Sequence, residues 1–196
     1  MPVGDCQDAF AHAAAEDGVA LERASVPWLN QRGHLGLPPE ADSAREVLDT
    51  VFRELGGNVA EQATKRLTPL PGDFVHAESG TFIEIDESQH FTSFRLLTLK
   101  HYPASWSLGF DLEEYRLLCQ EWGPRSDKFH AAKPAVAFGA GGRRRQRAYH
   151  DALRDLATPA MGHPPVIRVA ATERDGAAAY ARHRDRIRSA LAHSND

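Results

Sequence analysis

Leu70-Pro71-Gly72-Asp73-Phe74-Val75, followed by Thr81-Phe82-Ile83-Glu84-Ile85-Asp86, decides how this chain is read. Phe74-Val75 opens one extended run, Glu78-Ser79-Gly80 supplies turn residues, and Thr81 to Asp86 returns, so the spacing predicts a β-hairpin. Side chains alternate along a strand, which puts Phe82, Glu84 and Asp86 on one face and Ile83 and Ile85 on the other. Acids at alternate positions of an otherwise apolar strand need partners, because unpaired buried charge is costly. Gln89 and His90 follow just past the strand end.

The surrounding sequence supplies helices. Val47, Leu48, Val51, Phe52 and Leu55 recur at helical spacing. Ser43 and Glu46 form a Ser-x-x-Glu capping box before them, and Gly56-Gly57 stops the run. Residues 58–66 read as a strand. Phe91 to Leu99, Leu112 to Trp122, Arg143 to Leu156 and residues 176–192 read as helices, and Val166 to Val169 as a short buried strand. Asp8 to Arg23 gives a weak helical stripe, and Asn30 to Pro39 reads as a loop. The sum is a mixed central sheet flanked by helices, an α/β fold.

Composition bounds the function. The chain has 196 residues, enough for one domain with additions. No apolar run approaches the roughly 20 residues of a membrane helix, so no membrane partner is expected. No secretory signal is visible. Cys6 and Cys119 stand too far apart for a zinc half-site, and a reducing, cytoplasmic compartment is the expectation. The histidines lack zinc spacing. A net charge of −4 confines any nucleic-acid surface to a local patch.

Asp73, Glu84 and Asp86 are the candidate metal ligands. Glu84 and Asp86 lie roughly 7 Å apart along a strand of about 3.3 Å rise per residue, and Asp73 on the neighbouring strand can converge with them. Carboxylate oxygens suit Mg2+ or Mn2+, and the Ile85 carbonyl is a further candidate. His90, which titrates near neutral pH, is placed as base or leaving-group helper. The same residues equally suit a face on which the acids pair with arginine side chains. Gly139 to Arg147 runs from a Gly-rich turn into Arg143, Arg144, Arg145 and Arg147, a candidate phosphate-binding surface or a solvated helix face. Arg95 and Arg154 face the site in this reading, or pair with its acids.

From Glu46 to Glu173 the chain resembles the PD-(D/E)XK nuclease superfamily, in particular its Vsr-like branch. The resemblance rests on Glu46 with Gly56; Leu70 to Val75; Ile83-Glu84-Ile85-Asp86 with His90; Asp151-Ala152-Leu153-Arg154-Asp155-Leu156; Gly162; and Val166-Ile167-Arg168-Val169. It implies a restriction-endonuclease-like fold and metal-dependent hydrolysis of phosphodiesters, with DNA as the expected partner. It implies metal binding at Asp73 and Glu84, a matching histidine at His90, and Glu46 as the helix acid, with Glu54 as its rival. A homodimer would suit an enzyme that cuts both strands. Residues 43–173 are then the core, with a helical insertion at about 91–142, and 1–42 and 174–196 are an N-terminal extension and a C-terminal helix.

Asp86 stands where the superfamily often has lysine. Lys100, Lys128 and Lys133 are the candidates to replace it. The missing lysine also supports the alternative, a module of the same fold that binds nucleic acid or a protein partner and no longer cleaves.

Overall fold

Phe82, Glu84 and Asp86 alternate with Ile83 and Ile85, and separate layers of helix receive the two sets. The computed structural model describes residues 4–193. Its elements are helix α1 (Asp5–Glu16), strand β1 (Glu22–Asn30), helices α2 (Asp42–Glu54) and α3 (Val59–Ala63), strands β2 (Pro69–His76) and β3 (Thr81–Glu87), helices α4 (Ser93–Leu99), α5 (Leu112–Ser126) and α6 (Arg143–Ala160), strand β4 (Ile167–Ala171) and helix α7 (Gly176–His193).

The strands form one mixed sheet in the order β1-β2-β3-β4. β1, β2 and β3 are antiparallel neighbours, and β4 runs parallel to β3, with Glu84 level with Arg168. Ile83, Ile85, Ile167 and Val169 pack with Phe10 of α1 and Ile187 of α7. Phe82, Val166 and Ala170 face the larger core, where α2 contributes Phe52 and α6 contributes Leu153 and Leu156. β3 and β4 are buried along their whole length. The outer edge of β4 is covered by a bridge from Gly109 and by Arg186, which donates to the Gly109 and Arg168 carbonyls; such cover protects an edge from foreign pairing.

Local signals explain most boundaries. Thr92 accepts from Arg95 N–H at the start of α4, and Asp111 from Glu114 N–H at the start of α5. The predicted hairpin, the four later helices and the last strand all form.

Three local expectations fail. Residues 58–66 contain α3 rather than a strand, because the Asn58 side chain accepts the Glu61 N–H and starts a helical turn. The Ser43–Glu46 capping box does not form: a 3-10 turn at Pro39–Ala41 leads directly into α2, which begins before Ser43 and has no side-chain cap. Arg45 braces that entry instead, donating to Asp42 and to the His34 and Leu37 carbonyls. The helix expected from Asp8 to Arg23 ends at Glu16, because Gly18 adopts a left-handed φ of +80°; the residues beyond it turn into β1.

The segment read as an N-terminal extension therefore supplies an edge strand and a packed helix. α1 lies against α7, and Gly176 leaves no room for a side chain between them, since a Cβ there would lie 1.9 Å from the Cys6 carbonyl oxygen. Among the described residues, no helix is long and apolar enough to cross a membrane. Gly176→Ala would force α1 and α7 apart; a destabilisation of about 1–3 kcal/mol, typical of overpacking, is expected in urea denaturation.

Candidate active site

The regular pairing of β2 with β3 runs from His76↔Thr81 to Phe74↔Ile83 and stops there. Beyond that point side chains join the strands: Asp73 Oδ2 accepts the Ile85 N–H at 2.8 Å, and Glu84 Oε1 accepts the Asp73 N–H at 3.2 Å. Gly72 leaves room for this exchange, because a Cβ would sit 3.2 Å from Glu84 Oε1. Among the described residues, Asp73 Oδ1 and Glu84 Oε2 take no hydrogen bond. Both side chains line a cleft of about 540 Å³.

The opposite wall is α6. Its positions 143, 147, 151 and 154 repeat at helical spacing, and Arg143, Arg147, Asp151 and Arg154 all line the cleft, with Gln146 and His150 between them. Arg154 donates to Asp151 Oδ1 and to the Pro71 carbonyl, and its Nε is 3.5 Å from Glu84 Oε1. Arg147 donates to the Gln89 carbonyl at 2.9 Å, and Arg143 to Gln146 at 2.6 Å.

Beneath the cleft lies a buried ionic network. Arg168 donates to Asp155 at 2.5 Å, to both oxygens of Asp86 at 3.0 and 2.9 Å, and to the Asp151 carbonyl. Tyr115 donates to Asp86 Oδ2. Arg95 and Tyr102 complete Asp155, at 2.6 and 2.7 Å. His90 Nδ1 stands between Asp86 and Asp151, at 3.1 and 3.2 Å. The guanidiniums of Arg95, Arg154 and Arg168 meet the three carboxylates of Asp86, Asp151 and Asp155, and Asp86 and Asp151 also favour a positive charge on the His90 imidazole. Burial opposes that charge, but Asp151 and Asp86 outweigh it and hold the His90 pKa above its ordinary value. Asp151, although buried, is held well below the carboxylate range by Arg168 and His90.

Asp73 and Glu84 show the opposite balance. Burial pushes Glu84 up to about 7, against Arg154 and with help from Asp73. Burial also raises Asp73, against the Ile85 N–H. This pair is short of positive charge, whereas each carboxylate of the network below meets a guanidinium.

The candidates from sequence therefore divide. Asp73, Glu84, His90, Arg143, Arg147 and Arg154 come together around the cleft. Asp86 does not join Asp73 and Glu84 in a three-ligand group. It is 1% exposed and its oxygens are occupied by Arg168, His90 and Tyr115. Glu46 lies exposed on α2, and Glu54 pairs with His101; neither lines the cleft. Arg95 is swallowed by the core as the partner of Asp155. Arg144, one position and hence about 100° around α6 from Arg143, lies over Phe94 and donates to the Asp127 carbonyl, away from the cleft. Lys100, Lys128 and Lys133 are exposed and line no part of it. Asp151, Gln146 and His150 were missed as site residues, although the polar stripe of α6 was the signal that could have found them.

Two donor sets suit a cation. Asp86, His90 and Asp151 form the one group among the described residues whose three potential ligand atoms lie within 4.8 Å of one another. An ion there must displace the His90 proton and compete with Arg168. Asp73 Oδ1 and Glu84 Oε2 offer hard oxygens with no guanidinium bound to them, on side chains that line the cleft, which fits Mg2+ or Mn2+ better.

Residues 50–133 match the model of a family of unknown function, DUF7255. The match takes in Asp73, Glu84, Asp86 and His90, and leaves out α6 and β4. No curated protein and no solved structure matches the chain.

Two outcomes are expected. Arg168→Met leaves three buried carboxylates with one guanidinium fewer and costs about 3–5 kcal/mol in denaturant unfolding. The pKa values of Glu84 and His90 are both raised by folding, so their stabilising protonation is complete below the unfolded values, 4.5 and 6.5, and is lost as pH rises through the folded ones. In metal-free buffer the melting temperature therefore falls as pH rises from 4.5 through about 7, and Glu84→Gln removes much of that slope.

Proposed function

We propose that the cleft hydrolyses phosphodiester bonds of nucleic acid, DNA being the expected substrate, with a divalent cation at Asp73 and Glu84. The observation that carries this reading is the charge-deficient Asp73–Glu84 pair set opposite the arginines of α6. The mixed sheet with helices on both faces, and the order of the Asp73, Glu84 and His90 motifs, agree with the restriction-endonuclease-like resemblance.

The chain's own residues divide the work. Asp73 Oδ1 and Glu84 Oε2 would hold the ion, whose chemistry is to neutralise phosphate charge and activate water. Arg143 and Arg147 bind backbone phosphate oxygens. Arg154, fixed by Asp151 and the Pro71 carbonyl, keeps a positive charge beside Glu84. His90 is held protonated at Nδ1 by two carboxylates, which suits donation of a proton from Nε2 to the leaving oxygen better than abstraction from water.

A second reading is favoured by one observation: Asp86 occupies the usual lysine position and is consumed by Arg168. On that reading the cleft binds nucleic acid without cutting it. Incubation with plasmid DNA in Mg2+ or Mn2+ separates the two. Cleavage that Asp73→Ala and Glu84→Ala each reduce by about 10³-fold or more supports hydrolysis, as loss of a metal ligand removes most of the rate. Salt-dependent binding without cleavage of duplex DNA, single-stranded DNA or RNA supports the binding module. Arg147→Ala should lower the salt slope of binding by about 0.9 under either reading.

A further inference from the structure

Toward one end of the cleft stand Lys65 and Arg143, with which no acid among the described residues pairs. Lys65 follows α3, and its carbonyl is held by Arg32 Nε at 2.7 Å. The Gln62 side chain ties the same stretch to the Gln31 carbonyl at 2.9 Å, and Gln31 lines the cleft. Lys65 Nζ is buried and has no hydrogen-bond partner, and His150 Nε2, on the cleft wall, is likewise buried and unpartnered. Lys65 itself does not line the cleft but stands behind the Gln31 segment; buried polar atoms are normally satisfied, so two such orphans at this end need an explanation.

The groups share one neighbourhood. Burial pushes Lys65 down to about 8, with Arg143 adding to the shift. Burial holds His150 well below its ordinary value, and Arg154, Lys65 and Arg143 all push the same way. Asp151 opposes them at His150, but its carboxylate is already committed to Arg154, Arg168 and His90.

We propose that Lys65, Arg143 and His150 form a phosphate subsite at the Gln31 end of the cleft, which holds a phosphate of the substrate other than the one cleaved. Phosphate oxygens would accept from Lys65 Nζ and the Arg143 guanidinium, and from His150 Nε2 once that nitrogen carries a proton. The group brings the negative charge that this end lacks. The inference deepens the phosphodiesterase reading and rests on it for the identity of the substrate. It is tested without divalent metal, so that the two can fail separately.

The probe is inorganic phosphate, titrated into the whole protein and followed by NMR of the imidazole nitrogens, with the His150 signals assigned by their loss in His150→Gln. A saturable shift of His150 is expected, absent with chloride at equal ionic strength. Lys65→Ala and Arg143→Ala should each weaken binding by about tenfold or more, as loss of a charged hydrogen bond does. Lys65→Met should leave the melting temperature unchanged or raise it, because no internal bond of Nζ is lost, so weaker binding in that variant is not a folding defect. Oligonucleotides then identify the source of the phosphate. Preference for a 5′-phosphate over a 5′-hydroxyl, lost in Lys65→Ala, assigns a strand end. Equal binding that Lys65→Ala still weakens assigns an internal diester. No movement of His150 with phosphate, or binding indifferent to Lys65→Ala, overturns the subsite.

Discussion

The Arg168 guanidinium, fully buried on β4, organises the centre of this molecule. It joins Asp86 of β3 to Asp151 and Asp155 of α6, and so fixes the helix against the parallel strand pair. Coulomb attraction alone does not make such a cluster favourable, because desolvation of each ion costs several kcal/mol. The cost is offset by the number of hydrogen bonds each member receives. Tyr115, Tyr102 and Arg95 fill the remaining carboxylate positions. Geometry this demanding admits one register of α6 on the sheet. That register is what turns Arg143, Arg147 and Arg154 toward Asp73 and Glu84.

Two tiers of charge follow. In the lower tier, with Asp86, every carboxylate meets a guanidinium. The upper tier faces the cleft with carboxylates short of cations on one wall and cations short of anions at one end. On the function proposed here, a substrate that brings both a divalent ion and phosphates matches that polarity.

Much of this was legible in the sequence, and the failures have physical causes. The alternation of Phe82 to Asp86 gave the faces of β3 correctly, because strong local periodicity survives tertiary packing. β1 was hidden because it is an irregular edge strand with Pro27 inside it and two register shifts against β2. Asp86 was assigned with Glu84 because they share a face. Only the level of Arg168 in the parallel register shows which carboxylate the guanidinium captures. Arg95 had the composition of a phosphate ligand, and its partner Asp155 lies sixty positions away, beyond any local pattern. Arg144 and Arg143 are neighbours in sequence and look in different directions, as a helix requires.

The reach of Tyr115 from α5 down to Asp86 ties the stretch between β3 and α6 to the middle of the molecule. A stretch that looks like an ornament spliced between strand and helix is in fact a keystone. Cut it away and Asp155 loses the Arg95 and Tyr102 that hold it, while the acid of the motif strand loses one of its donors. A cut there would leave buried acids without their donors, so loss of this arch would be felt at the centre of the molecule and not at its rim.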